Sequence, residues 1–256
     1  VAECPEEEVT HVLRHSAAHI MAQAIQHLFP EADFGYGPAT ERGFYYDVDL
    51  GDRKLTDEDL AAIEQEMKRI VKENLPIKPF ILPRDEAVKL MQERGAKYKE
   101  EHIGDLPEDA IISFYQQGDY IDMCVGPHIT YTKALKAFKI TQQSGAYWKN
   151  DSKNKMLTRI NGVAFATQEE LEAYEKQQEE ARARDHRKIG KEMSLFMTDD
   201  LVGKGLPMFL PKGYTVWQEL ENYIKEKERK LGYQHVMTPC VGTVALYETS
   251  GHWAHY

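Results

Sequence analysis

Between residues 11 and 29 the apolar positions Val12, Leu13, Ala17, Ile20, Ala24, Ile25 and Leu28 recur at three- and four-residue steps. That is the period of one helix face. It predicts a helix from His11 to Phe29, capped by Thr10 and closed by Pro30. GYGPATERGFYYDVDL (35–50) reads as a loop running into a strand, and DEDLAAIEQEMKRIVKEN (57–74) as a second amphipathic helix. Prolines keep PIKPFILP extended, and RDEAVKLMQERG is a short helix stopped by Gly95. AIISFYQQGDYIDMCVG reads as two strands around a Gly-Asp turn, and FKITQQSGAYWKND and KMLTRINGVAF as further strands. This part of the chain is α+β, with helices and an antiparallel sheet.

Past Thr167 the pattern changes. TQEELEAYEKQQEEARARDHRKIGKEMS has charge on nearly every side, as in a helix that bridges domains. A Gly/Pro-rich hairpin follows, then a helix from Thr215 to Leu231 and a strand ending at Pro239. The expected division is a domain over 1–166, a linker helix over 167–194, and the opening of a second domain over 195–256 that is short for an independent core.

Composition narrows the function classes. The 256 residues, 42% hydrophobic and 29% charged, suit one large or two modest globular domains. A net charge of −10 argues against a surface that holds nucleic acid everywhere. Locally, Lys133, Lys136, Lys139, Lys149, Lys153, Lys155 and Arg159 stand against Asp151 alone, with Tyr147 and Trp148 among them. Such a run suits phosphates and unpaired bases, or simply a solvated face around a strand pair. Cys4, Cys124 and Cys240 are too few and scattered for a disulfide framework, which points to a reducing compartment. No apolar run approaches the roughly 18 residues of a membrane span. The N-terminus VAECPEEE lacks the basic flank and apolar core of a signal peptide, and it lacks a starting Met, so a piece of a longer protein is expected.

The candidate chemistry lies in two short stretches. His11, His15 and His19 follow at i, i+4 and i+8 on one helix face. In YIDMCVGPH, alternation puts Tyr120, Asp122 and Cys124 on one strand face, and a Gly-Pro turn presents His128 beside them. Two histidines from a helix with Cys and His from a strand end suit a tetrahedral zinc site. They equally suit a metal-free site in which imidazoles and a carboxylate orient water and move protons, or they are unrelated.

HSAAHIMAQAIQHLFP, GFYYDVDL, DMCVGPHI, FKITQQSGAYWKNDSKNKMLTRINGVAF and RDHRKIGKE together resemble the editing domain and linker of bacterial-type threonyl-tRNA synthetases. The tail GYQHVMTPCVGTVALYETSGHWAHY is similar to the start of their class II catalytic domain, with Gly232, Val236 and Pro239 in the pattern of motif 1. The resemblance covers nearly the whole chain. It implies an α+β editing domain, a long linker helix and a truncated class II antiparallel-sheet domain. It also implies a parent enzyme that joins threonine to tRNA(Thr) with ATP and Mg, carries one Zn in a catalytic region beyond residue 256, and acts as a cytoplasmic homodimer. The editing domain would hydrolyse serine mischarged onto tRNA(Thr), since one missing methyl is worth only about 1–3 kcal/mol of discrimination.

Carried over to this sequence, the resemblance implies catalytic roles for His15, His19, Lys99, Asp122, Cys124 and His128, with Lys97 the alternative to Lys99. Gly37 and Tyr46 would line the same pocket. A lysine there can bind ribose hydroxyls or a developing oxyanion, and Cys124 is expected to shape the pocket rather than attack. No metal and no other cofactor is expected in this portion, and aminoacylation is not expected from it. Two other readings remain: a zinc-dependent trans-editing hydrolase with His15, His19, Cys124 and His128 as ligands, and a non-catalytic tRNA-binding module.

Overall fold

The computed structural model describes residues 6–255, so Cys4 lies outside the described residues. Two compact units divide at Gln178–Glu179. The first opens with helix α1 (Glu6–Leu28), strands β1 (Asp33–Phe34), β2 (Ala39–Thr40) and β3 (Gly43–Asp49), and helix α2 (Asp57–Glu73). Strand β4 (Ile77–Leu82), helices α3 (Arg84–Glu93) and α4 (Lys97–Asp105), and the hairpin β5 (Ile112–Gln117) and β6 (Tyr120–Met123) follow. Strands β7 (Ala137–Tyr147) and β8 (Met156–Phe165) complete the first unit, and the division falls within helix α5 (Gln168–Ala183). All strand pairings are antiparallel: one sheet runs β1-β3-β8-β7 with β2 on β3, the other β4-β5-β6. The α+β class expected from the sequence holds.

Helix α1 starts at Glu6, five residues before the expected start, so Thr10 lies inside it rather than capping it. Glu7 and Glu8 supply negative charge where the exposed N–H groups of a first turn favour it, and this outweighs the cap preference of one threonine. From Ser16 to Ile25 every residue of α1 is buried. Ala17, Ala18, Ala22 and Ala24 let the helix approach closely, while Ile20, Met21 and Ile25 pack with Phe44, Tyr46 and Val48 of β3 and Ile63, Met67 and Ile70 of α2. Each such large side chain contributes on the order of 1.5–3 kcal/mol. Helix α2 begins in a Thr56–Asp59 capping box and ends on Asn74 at φ 56°. Helices α3 and α4 cover the second sheet, with Ala87, Met91 and Ile103 clustered on Ile112 and Phe114 of β5.

At the far end of α1, His27 ties three elements together. Its Nδ1 lies 2.6 Å from Glu66 Oε1 of α2, which Arg69 also holds, and its Nε2 lies 3.1 Å from Asp119 Oδ1 in the β5–β6 turn. Burial opposes charge on His27, but the bonds to Glu66 and Asp119 outweigh it and raise its pKa. Hydrogen bonds from Arg69 and then His27 lower Glu66 from 4.5 to about 2. The Glu66 contribution is therefore complete above pH 4.5 and lost as pH falls toward about 2. The His27 contribution is complete below 6.5 and lost as pH rises through its raised value. Thermal melts across pH are expected to show both limbs, with Glu66→Gln flattening the acid limb and His27→Gln the neutral-to-alkaline one. Unchanged limbs in both variants would refute the linkage.

The basic run is largely committed within the chain. Lys149 pairs with Glu101 at 2.6 Å and with Asp105, Lys155 with Asp49 at 2.7 Å, Arg159 with Asp47 at 2.7 Å, and Lys139 with Glu175. Lys133, Lys136 and Lys153 make no side-chain ion pair among the described residues.

In the second unit, helix α6 (His186–Glu192) is followed by the hairpin of β9 (Phe196–Met197) and β10 (Met208–Phe209), then α7 (Pro211–Lys230) and α8 (Val244–Thr249). The single helix expected over 167–194 is broken after Ala183, because the Asp185 side chain accepts from Arg187 N and starts α6 as its cap. Helix α7 begins at Pro211 rather than Thr215, where a proline without an N–H costs nothing. No strand forms over 233–239 among the described residues. A strand needs a partner for its N–H and C=O groups, and β9 and β10 pair with each other. None of the described helices is long and apolar enough to cross a membrane.

Candidate active site

Helix α1 presents His15 and His19 toward the end of β6. The turn there requires glycine. Gly126 has φ +74°, and a Cβ on it would meet Tyr115 Oη at 2.1 Å. The Gly126-Pro127 peptide is cis, and His128 follows it. Cys124 Sγ then lies 3.2 Å from His15 Nε2, 3.3 Å from His128 Nε2 and 3.3 Å from Gly126 N. The rings of His15 and His128 are 4.2 Å apart between centroids, those of His19 and His128 4.0 Å. One ligand atom from each of His15, His19, Cys124 and His128 falls within 4.8 Å of all the others. His11 stays outside this group: it is exposed, with its ring 6.3 Å from that of His15.

A second, buried cluster adjoins the first. Asp122 Oδ1 takes Lys99 Nζ at 2.7 Å, and Oδ2 accepts from the hydroxyls of Tyr46 and of Tyr120, the latter at 3.1 Å. Lys99 Nζ also donates to Tyr46 Oη at 3.1 Å, and His19 Nε2 is 3.5 Å from Asp122 Oδ2. Lys99 is 5% exposed and Asp122 4%. Lys97, the alternative lysine, is exposed on the other side of α4. Gly37 packs on Tyr46, and a Cβ there would sit 2.2 Å from Tyr46 Cδ2, so the glycine makes room for the ring. A cavity of about 260 Å³ opens against Lys99 and Cys124, walled by Tyr36, His102, Met123 and Val125 among others.

Burial sets the protonation states. It pushes the pKa of His19 well below the usual value, with His15 and Lys99 adding to the shift. It also depresses His128, with the neighbouring His19 and His15 adding to the shift, and His15, with His11 adding to it. Burial raises the Cys124 thiol to about 11 against the opposing Gly126 N–H. At neutral pH the cluster is thus three neutral imidazoles and a thiol. Free ring lone pairs thus stand beside a buried ammonium–carboxylate pair, and His15, the least depressed of the three, keeps the most basicity for taking a proton from water.

All six candidate catalytic residues and Tyr46 converge on these two clusters, with Gly37 behind Tyr46. Tyr120, which alternation sets on the face of Asp122, donates to that carboxylate. Two neighbours are not singled out by the sequence pattern: Tyr115, with its ring 4.5 Å from that of His128, and Ser16, 3.2 Å from His128 Nδ1. Ser16 is a short polar residue between His15 and His19, with the apolar Val12, Leu13 and Ile20 one turn away, the one hint the sequence holds of it.

Residues 112–161, which span β5, β6, the Cys124–His128 turn, β7 and the first part of β8, match the family described as the Threonyl and Alanyl tRNA synthetase second additional domain. The Threonine--tRNA ligase of Geobacillus sp. (strain WCH70) is 53% identical over 249 residues, 97% of this chain and 38% of the relative. That of Clostridioides difficile (strain 630) is 53% identical over 251 residues, 98% of this chain and 39% of the relative. The chain is related to bacterial threonine--tRNA ligases. It spans about two fifths of their length. The resemblance read from the sequence, which covers nearly the whole chain, agrees with this span.

Proposed function

We propose that this chain is the proofreading portion of a threonine--tRNA ligase and hydrolyses the ester joining serine to the terminal ribose of mischarged tRNA(Thr). The observation that supports this best is the meeting of His15, His19, Cys124 and His128 beside the buried Lys99–Asp122 pair. In this reading a neutral imidazole, His128 or His15, takes a proton from water as its oxygen attacks the ester carbonyl. The oxyanion of the tetrahedral intermediate is stabilised by the Lys99 ammonium, which has a third N–H beyond those given to Asp122 and Tyr46. Collapse expels the ribose oxygen, which recovers the proton from the imidazolium. Asp122 fixes Lys99 and Tyr46, and Cys124, protonated at neutral pH, shapes the pocket. The walls of the cavity near Cys124 would accept the serine side chain and crowd the extra methyl of threonine.

The intact ligase, in the same proposal, joins threonine to tRNA(Thr) with ATP and Mg, holds one Zn outside this portion, and works as a cytoplasmic homodimer. This chain itself would need no cofactor. A second reading deserves a test because the four donor atoms suit zinc. Tetrahedral N and S ligands at about 2.0–2.3 Å stand about 3.3–3.8 Å from one another, within the spread of these atoms. Zinc held by His15, His19, Cys124 and His128 would supply Lewis acidity at the ester.

The deciding experiment follows serine-charged and threonine-charged tRNA(Thr) with this chain, with and without a chelator, alongside metal analysis. Selective loss of serine, untouched by chelation, is expected. Loss of activity on chelation with one zinc per chain would favour the metal reading, and salt-sensitive tRNA binding without turnover would leave only a binding module.

A further inference from the structure

Ser16 is fully buried in α1, and its hydroxyl makes three contacts. It donates to Val12 O at 2.8 Å, accepts from Ile129 N at 2.9 Å, and stands 3.2 Å from His128 Nδ1. A serine hydroxyl has one proton to give and two lone pairs to offer. The Ile129 N–H can only donate and fills one lone pair. The proton goes to the carbonyl four residues back, the closer of the two remaining partners and a habitual one for helical serine. One lone pair is left, facing His128 Nδ1.

We propose that Ser16 is a positioning residue that holds His128 as the Nδ1–H tautomer, so that its Nε2 lone pair is aimed at Cys124 and the histidine cluster. A neutral histidine in water favours the opposite, Nε2–H form, so this arrangement is imposed by the site. Which nitrogen carries the proton is set by the bond made at the other one. In the hydrolytic reading, on which the catalytic consequence rests, an Nε2–H tautomer would turn the His128 proton acceptor into a donor. Ile129, next to His128, is bonded to the same oxygen, so one hydroxyl fixes both the ring and the backbone that carries it.

The test is a two-bond proton–nitrogen spectrum of histidine-labelled, chelator-treated chain at about pH 8, where ordinary imidazoles are neutral. His128, identified by the signal missing in His128→Gln, is expected to show a protonated Nδ1 and a bare Nε2. In Ser16→Ala the protonated nitrogen is expected to shift toward Nε2 with the backbone spectrum preserved. Seryl-tRNA hydrolysis should fall on the order of 10-fold or more in kcat with little change in KM. A wild-type His128 protonated at Nε2, or a tautomer unmoved in folded Ser16→Ala, overturns the proposal. Should Ser16→Ala fail to fold, the wild-type spectrum alone decides. Because the tautomer is read without turnover, a chain that hydrolyses nothing would refute the proposed activity and leave the assignment of Ser16 to be judged by itself.

Discussion

His128→Ala is expected to lower hydrolysis of seryl-tRNA(Thr) by on the order of 10²–10⁴-fold, the range for loss of a positioned general base. Its melting temperature should stay close to that of the parent chain. The ring is only partly buried. Removing it leaves Ser16 Oγ bonded to Val12 O and Ile129 N, so no polar atom of the core is stranded. His15→Ala should act similarly through the loss of its contact with Cys124 Sγ. His11→Ala is the matched control. It belongs to the same helix face in sequence, but it is exposed and outside the four-residue group, so its effect should be less than about threefold, under 1 kcal/mol. Rates measured with saturating and limiting mischarged tRNA separate binding from chemistry. Full activity in both His15→Ala and His128→Ala would remove the cluster from the reaction.

What could be read in advance followed from two periodicities. The 3.6-residue repeat places His15 and His19 on one face, and the two-residue repeat places Asp122 with Tyr120, both buried on β6. Those rules need no knowledge of what the elements pack against. Lys99 is different. KYKEEHIGD has no apolar stripe beyond Tyr98 and Ile103, so α4 is not announced by its own pattern, and only the resemblance pointed to a lysine there. The break at Asp185 and the missing strand at 233–239 have a common origin. Each element depends on a competing local bond or an absent ladder partner, neither of which a hydrophobic pattern records. The basic run shows the same limit for electrostatics. Its basic side chains read as available because Asp47, Asp49, Glu101, Asp105 and Glu175, their partners, are distant in sequence.

Asp122→Ala is expected to destabilise the first unit by about 3–5 kcal/mol, the cost of breaking a buried ion pair from one side. The carboxylate is the shared acceptor for Lys99 and for the hydroxyls of Tyr46 and Tyr120. Removing it strands an ammonium that is 5% exposed and leaves two buried hydroxyls bonded only to each other, at 3.4 Å, and to Lys99. The loss corresponds to a fall in melting temperature of about 6–20 °C for a unit of this size. Lys99→Met should cost less, because the carboxylate keeps both tyrosine donors. The double variant Lys99→Met/Asp122→Ala should be more stable than the sum of the two single losses, since no charge is then left without its counterpart. Urea unfolding of the four proteins provides that cycle. Strict additivity, or a loss below about 1 kcal/mol in Asp122→Ala, the scale of a solvent-exposed pair, would mean that water reaches the pair and that Lys99 is not fixed by Asp122. The same cycle bears on the reaction, because an ammonium held in place before the substrate arrives needs no reorganisation as the oxyanion forms. Asp122→Asn, which keeps the shape and loses the charge, should then depress kcat more than KM.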